Sequence, residues 1–391
     1  MNLLFEYLEK IKVSNPKIYY STHFFTSWSF EFLLALRHPK MFPELKHCAI
    51  NQLEMMNPLF NFFGFEPSFV KLPKKGIRFE GHSHTSNFSQ DAKCDFHDVI
   101  DYLFEKGIDI WAPTDHNNPY AFDKTASGEI KLKDIYELSD VNPDGRSLVM
   151  ERKSDKKELV LIRSMEYYTR RGEIGIYGYS GHLPNEGIHF SSDPKKNIPL
   201  REAIGLGIEG DGLIVGNHLY SNDGIGWINE EDAMDEAMNA VNSNGKNKKF
   251  KINRAFKAIT SLKRKHIHQR EYTNKFVKEA IEALEEMNLE RRFFAIEKNG
   301  AEIPPQLYCP VRAEGLAKKL DLPFIATGDA HTLKMYDRSG VVFDERDYGV
   351  MYELLGQNHA DTVKALISTK KFENYTNYVT YGQIIEWIRN I

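Results

Sequence analysis

Short, continuously apolar runs alternating with helix-patterned segments constrain this chain more than any other feature. Seven runs bounded by turn residues are predicted as strands: 77–80, 108–113, 159–165, 174–179, 213–216, 293–297 and 324–327. Several are unbroken rather than alternating, the pattern of strands buried on both faces. Between them lie amphipathic stretches. Val99, Ile100, Leu103 and Phe104 mark one apolar face that stops at Gly107, a helix C-cap residue, and 200–208 and 311–320 read the same way. Strands alternating with helices imply a parallel sheet, and seven such units imply a closed barrel. A length of 391 residues suffices for one large barrel or two ordinary domains.

Some segments break the alternation. Residues 1–75 are aromatic-rich and helix-patterned without the barrel rhythm, and are expected to form an N-terminal helical extension to a barrel domain at 76–391. A mostly helical insertion is expected at about 227–292, and 117–158 reads as polar surface chain with turn signals. No run reaches the roughly 18 apolar residues of a membrane span. The first residues carry acids among apolar positions, unlike a signal or transit peptide. Three widely spaced cysteines, Cys48, Cys94 and Cys309, do not make a disulfide framework, so a cytoplasmic protein is expected. With no CxxC pair, any metal would be held by histidines and carboxylates. The net charge of −4 says little about partners.

The ends of the predicted strands carry the chemistry. His82, His84 and then Asp91 follow the first strand, and His116 follows the second. Glu166 lies at the end of the third, His182 after the fourth, His218 after the fifth, and Asp329 with His331 after the seventh. Six of the 14 histidines thus occupy one kind of position. In a β/α barrel those ends converge on one face. Any one of these residues alone reads as a capped or solvated loop residue. Together, imidazoles beside carboxylates suit Zn²⁺, Mn²⁺ or Fe²⁺.

These residues resemble the PHP (polymerase and histidinol phosphatase) metallophosphoesterases. The likeness rests on GHSHTSNFS with Asp91, GIDIWAPTDHN, the glutamate of SMEYY, GH at 181–182, GNH at 216–218 and TGDAHT at 327–332. It spans about 76–335 and implies a distorted (β/α)7 barrel with two or three divalent ions. It places His82, His84, Glu166 and Asp329 on one ion, Glu166, His182 and His218 on a second, and Asp91, His116 and His331 on a third. Asp91 stands farther from the HxH pair than the family pattern has it, and Leu-Tyr follows His218 where proline is common. Asp115 is expected to support its loop, and Glu297 to accept a hydrogen bond from behind the ligands.

Divalent ions at such a centre would activate a water, neutralise phosphoryl oxygens and stabilise a leaving alkoxide. The expected activity is hydrolysis of a small phosphomonoester or nucleotide. His331 or His182 would protonate the leaving group, and Arg170 and Arg171 would contact phosphate. The alternative is a nuclease. Residues 246–278 hold 12 Lys or Arg and a single acid, Glu271, a pattern that either tracks a phosphate backbone or is a solvated helix face. A non-catalytic binding module is disfavoured because no expected ligand is replaced. An amidohydrolase is disfavoured because no bridging lysine follows a middle strand. The flanks at 1–75 and 340–391 would close over the site or form an oligomer interface.

Overall fold

The computed structural model describes residues 75–170, 172–187, 197–219, 278, 281–282, 294–300 and 308–376. The N-terminal extension, nearly all of the 227–292 insertion with its basic stretch, Arg171, and the tail beyond 376 lie outside the described residues.

The chain begins with strand β1 (Ile77–Gly81), helix α1 (Phe96–Lys106) and β2 (Ile110–Ala112). Asp95 starts α1 by accepting from the His97 N–H, and Gly107, at φ 71°, ends it by donating its N–H to the Leu103 carbonyl. Helix α2 (Tyr120–Ala126) and strands β3 (Tyr136–Val141), β4 (Ser147–Arg152) and β5 (Lys157–Ile162) follow. Then come β6 (Ser164–Thr169), β7 (Gly172–Tyr177), α3 (Leu200–Glu209), β8 (Leu213–Gly216), β9 (Phe294–Asn299), α4 (Tyr308–Leu320) and β10 (Phe324–Thr327). Strand β11 (Ser339–Phe343), helices α5 (Glu345–Leu354) and α6 (His359–Ser368), and β12 (Glu373–Thr376) complete the described chain.

The strands form two sheets, not the single closed one expected. A seven-stranded sheet runs β12-β11-β1-β2-β5-β4-β3, and a five-stranded sheet runs β10-β9-β8-β7-β6. Nor is the arrangement all parallel: β7 lies antiparallel to both β6 and β8. The expected third strand is split at Arg163, with β5 in one sheet and β6 in the other. Residues 117–158 are not bare surface chain, because α2 and the β3–β4 hairpin occupy them. The missed hairpin has one buried strand, β4, and one mostly exposed strand, β3, so its apolar signal is diluted by charge.

The sheets meet through local seams. At one edge Ser83 bridges Ala330, with the His84 N–H donating to the Ala330 carbonyl at 2.9 Å. At the other, His116 bridges Glu166, and the Asn117 N–H donates to the Glu166 carbonyl at 2.7 Å. The Asn374 side chain of β12 adds a third seam, accepting from Ala326 N–H and donating to the Phe324 carbonyl of β10, each at 2.7 Å.

Inner faces of both sheets share one core. Phe79, Ile110, Val160, Leu213, Ala295 and Ile325 pack together there, joined by Val363, Leu366 and Ile367 of α6. Ala360 sits against Gly178, at the end of β7 remote from Glu173. Helices α3 and α4 cover the outer face of the smaller sheet, and α1 and α2 that of the larger. Burial on both faces is why these strands read as unbroken apolar runs.

Candidate metal centre

The polar side chains collect where β1, β6, β8 and β10 end or begin, over the junction of the sheets. Three of them sit on left-handed backbone just past a strand: His82 at φ 61°, His218 at φ 45° and Asp329 at φ 43°. Non-glycine residues there cost on the order of 1–3 kcal/mol each and persist where surroundings over-determine them. The turns aim the side chains into a common space instead of letting them continue along the strands.

Nε2 of His82 lies 3.0 Å from Oε1 of Glu166 and 3.4 Å from Oδ1 of Asp329. Nε2 of His84 lies 3.2 Å from the same Asp329 oxygen and 3.5 Å from Oε2 of Glu166. His218 brings Nε2 to 3.3 Å from Asp329 Oδ2 and stacks on His82, with ring centroids 4.7 Å apart. Towards solvent, Oδ2 of Asp91 is 3.1 Å from Nε2 of both His116 and His331. Three overlapping donor groups result: His82 with Glu166 and His218; His82 with His84 and Asp329; His84 with His116 and His331. Within each, the donor atoms lie within 4.8 Å of one another.

The electrostatics call for positive charge. Burial works against protonation of His82, yet Glu297, Glu166 and Asp329 raise its pKa well above the ordinary range. His116 and His218 are raised likewise against burial, His116 by Asp91 and Glu166 and His218 by Asp329 and Glu166. His84 instead falls to about 4, through burial and then its neighbours His116 and His331. Burial would raise Glu166 and Asp329, but the surrounding imidazoles hold both well below the usual carboxylate range.

A divalent ion fits this donor set. Nε2 of His84, Oε2 of Glu166 and Oδ1 of Asp329 are buried without a hydrogen bond. Polar atoms left this way in a native interior need a partner, and a cation shared among them supplies one.

Further side chains hold the donors. Asp115 accepts from the Thr85 N–H at 2.6 Å and from the Thr85 and Ser89 hydroxyls, so it supports the loop that carries His84. Burial pushes its pKa up to about 7. Glu297 binds Nδ1 of His82 and accepts the His218 N–H at 2.7 Å. Asn217 donates to Glu166 at 2.9 Å, and Asn299 donates to Asp329 at the same distance. Glu173, overlooked in the sequence, places Oε2 3.2 Å from Nδ1 of His218. Its only signal is a glutamate opening an otherwise apolar strand. That strand must lie antiparallel to the one leading into GNH, and the parallel expectation hid it.

Of the expected site residues, His82, His84, Asp91, His116, Glu166, His218, Asp329 and His331 come together. His182 does not. Gly181, at φ 79°, turns the chain outward, and the His182 side chain is 85% exposed with Nδ1 2.9 Å from Glu186. It stands outside the donor cluster, apart from the ligand and proton-donor positions expected for it. Arg170 is exposed and donates through Nε to the Asn197 carbonyl at 2.8 Å, so it ties down the chain after β6.

Fold and site together define an α/β protein with a histidine- and carboxylate-rich donor cluster, able to hold metal ions, between two sheets. No family model matches the chain, and no curated protein sequence does. Solved structures do resemble it. PsfC from Pseudomonas syringae PB-5123 is 12% identical, with a TM-score of 0.43 over 80% of this chain and 97% of that one. A two-domain protein from Bacteroides vulgatus ATCC 8482, described as containing a predicted PHP-like metal-dependent phosphoesterase, is 13% identical. Its TM-score is 0.38 over 80% of this chain and 69% of its own. Endonuclease Q, solved with a 27-mer duplex bearing an abasic lesion, is 11% identical, with a TM-score of 0.32 over 66% of this chain and 50% of its own. At such identities a neighbour's chemistry does not transfer, and function is argued from the side chains.

Proposed function

We propose that this chain is a metal-dependent phosphoesterase that hydrolyses a small phosphomonoester or nucleotide. The observation that carries the reading is a chain of three donor groups linked through His82 and His84, with Glu166 and Asp329 each facing several imidazoles, a layout suited to two or three adjacent divalent ions. His82, His84, His218, Glu166 and Asp329 would hold the inner ions, and Asp91, His116 and His331 a further one. Bound Zn²⁺, Mn²⁺ or Fe²⁺ would lower the pKa of a water and neutralise phosphoryl charge.

The protein's own part is positioning and exclusion of water. His82, His84 and Glu166 have no exposed surface, whereas the Asp91 side chain is 38% exposed and marks the side from which a phosphate would approach. His331, whose Nε2 faces Asp91 at the same rim, would deliver the proton when it does not hold the outer ion. Hydrolysis of a nucleic-acid phosphodiester would use the same donors, and the basic stretch suited to that substrate lies almost wholly outside the described residues. A free, buried thiol at Cys94 fits the cytoplasmic setting, and no described helix is long and apolar enough to cross a membrane.

The test is an assay of Mn²⁺-reconstituted protein beside Asp329→Ala. Phosphate release from mononucleotides that disappears in the variant supports the monoesterase. Shortening of an end-labelled oligonucleotide that disappears in the variant replaces it with the nuclease. Neither activity in the metal-loaded protein would sink both.

A further inference from the structure

The two halves of the donor cluster differ in what stands behind their imidazoles. Behind His82 and His218 stand carboxylates, Glu297 on one Nδ1 and Glu173 3.2 Å from the other. Behind His84 and His331 stand neutral oxygens, and Nδ1 of His116 lies between a tyrosine hydroxyl and Oε2 of Glu166, itself one of the inner donors, at 3.0 Å. Ser89 Oγ lies 3.3 Å from Nδ1 of His84, Tyr168 OH 3.0 Å from Nδ1 of His116, and the Asp329 main-chain carbonyl 2.9 Å from Nδ1 of His331. Glu297 does more than orient one ring. Its Oε2 accepts the His218 N–H at 2.7 Å and its Oε1 accepts the Thr327 hydroxyl, so one buried carboxylate fixes His82, the His218 backbone and the end of β10.

Backbone strain follows the same division. The left-handed ligands, His82, His218 and Asp329, all belong to the carboxylate-backed half. His82, His84 and Glu166 are fully buried, and the cluster reaches solvent chiefly through Asp91.

We propose that Glu173 and Glu297 are positioning residues that make the His82/His218/Glu166/Asp329 half the first and tightest ion site. The rim half built on His116, His331 and Asp91, which shares His84 with the inner half, fills second and more weakly. The proposal rests on the metal-dependent reading above. A carboxylate accepting from Nδ1–H fixes the tautomer that leaves the Nε2 lone pair facing inward, and raises the basicity of the ring. A hydroxyl holds the ring less firmly and adds no charge. Glu173 and Glu297 each place a carboxyl group directly behind an inner imidazole, whereas Asp91 faces His116 and His331 at the rim. Left-handed turns fixed by the fold pre-orient the inner ligands, so less ordering remains to be done when an ion arrives.

The experiment is a Mn²⁺ titration of metal-stripped full-length protein, with bound ion counted by equilibrium dialysis and free ion by electron paramagnetic resonance. The wild type should show a tight class and a weaker one. Glu173→Gln and Glu297→Gln should each weaken the tight class by about 10–100-fold and leave the weak class within about twofold. Asp91→Asn should do the reverse, and Glu173→Asp should recover part of the tight binding. Circular dichroism identifies a variant that fails to fold, in which case Glu173→Asp and Asp91→Asn carry the comparison. A tight class unchanged in the folded Gln variants, or weakened by Asp91→Asn in preference to the rim class, overturns the proposal and leaves the metal reading intact. A wild type that binds no Mn²⁺ overturns the metal reading itself.

Discussion

His82 Nε2 and Glu166 Oε1 lie 3.0 Å apart, although the strands that deliver them belong to different sheets. No ladder runs between β1 and β6, so the two residues meet only because the sheets are seamed at their ends. The candidate metal site and the inter-sheet junction are therefore one structure.

Glu166→Gln tests that coincidence. The substitution keeps the shape and removes the charge on which His82, His84, His116 and His218 converge. Activity should fall by more than the roughly 10–100-fold attributed to outer partners, and bound metal should fall with it. Elemental analysis beside the phosphate-release assay checks both. Full activity with full metal content would show that the shared carboxylate is not a ligand.

Arg146 is a second junction, remote from the metal centre. Only 7% exposed, it donates to Asp361 at 2.8 and 2.9 Å and to Asp211 at 2.7 Å, tying the β3–β4 turn to α6 and the α3–β8 connection. Arg146→Met should cost about 2–4 kcal/mol, the range for breaking a buried pair lowered for its part-exposed partners. Burial alone would raise the Asp361 carboxyl, but Arg146 holds it below the usual range. A carboxyl depressed in the folded state adds stability above its unfolded pKa and loses it as pH falls through the folded value. The gap between variant and wild type in urea midpoint should therefore narrow in acid. A gap that widens there would contradict the assignment.

His359 gives a pH dependence of its own. Burial pushes its pKa down to about 4 from an ordinary 6.5, and Tyr348 OH lies 2.7 Å from Nδ1. The unfolded chain then binds this proton more readily than the folded one. Stability is complete above pH 6.5 and falls towards pH 4, the window between the two values. The slope approaches about 1.4 kcal/mol per pH unit inside it. His359→Gln should flatten that part of the urea-midpoint profile.

Gly340 sits where β11 crosses β1. A Cβ there would stand 2.6 Å from the Tyr375 hydroxyl and 2.7 Å from the Phe79 carbonyl, and the backbone oxygen cannot move aside alone. Gly340→Ala should destabilise by about 1–3 kcal/mol by forcing the two strands apart. Thermal melts of the two proteins decide it.

Sequence alone determined the features that depend on neighbours along the chain. Double-sided burial shows in the runs of β2, β8 and β10, helix periodicity and its caps show in α1, and ligand chemistry shows at the strand ends as HxH, TDH, GNH and DAH. These signals are local, because side-chain direction and capping are set within a few residues. Tertiary structure decided what no such window contains. It reversed β7, split the sheet at Arg163, sent His182 outward to Glu186 and brought Glu173 behind His218. Pairing direction and register depend on which distant strand is hydrogen-bonded. An antiparallel neighbour exchanges the two ends of a strand while leaving its pattern of apolar residues unchanged.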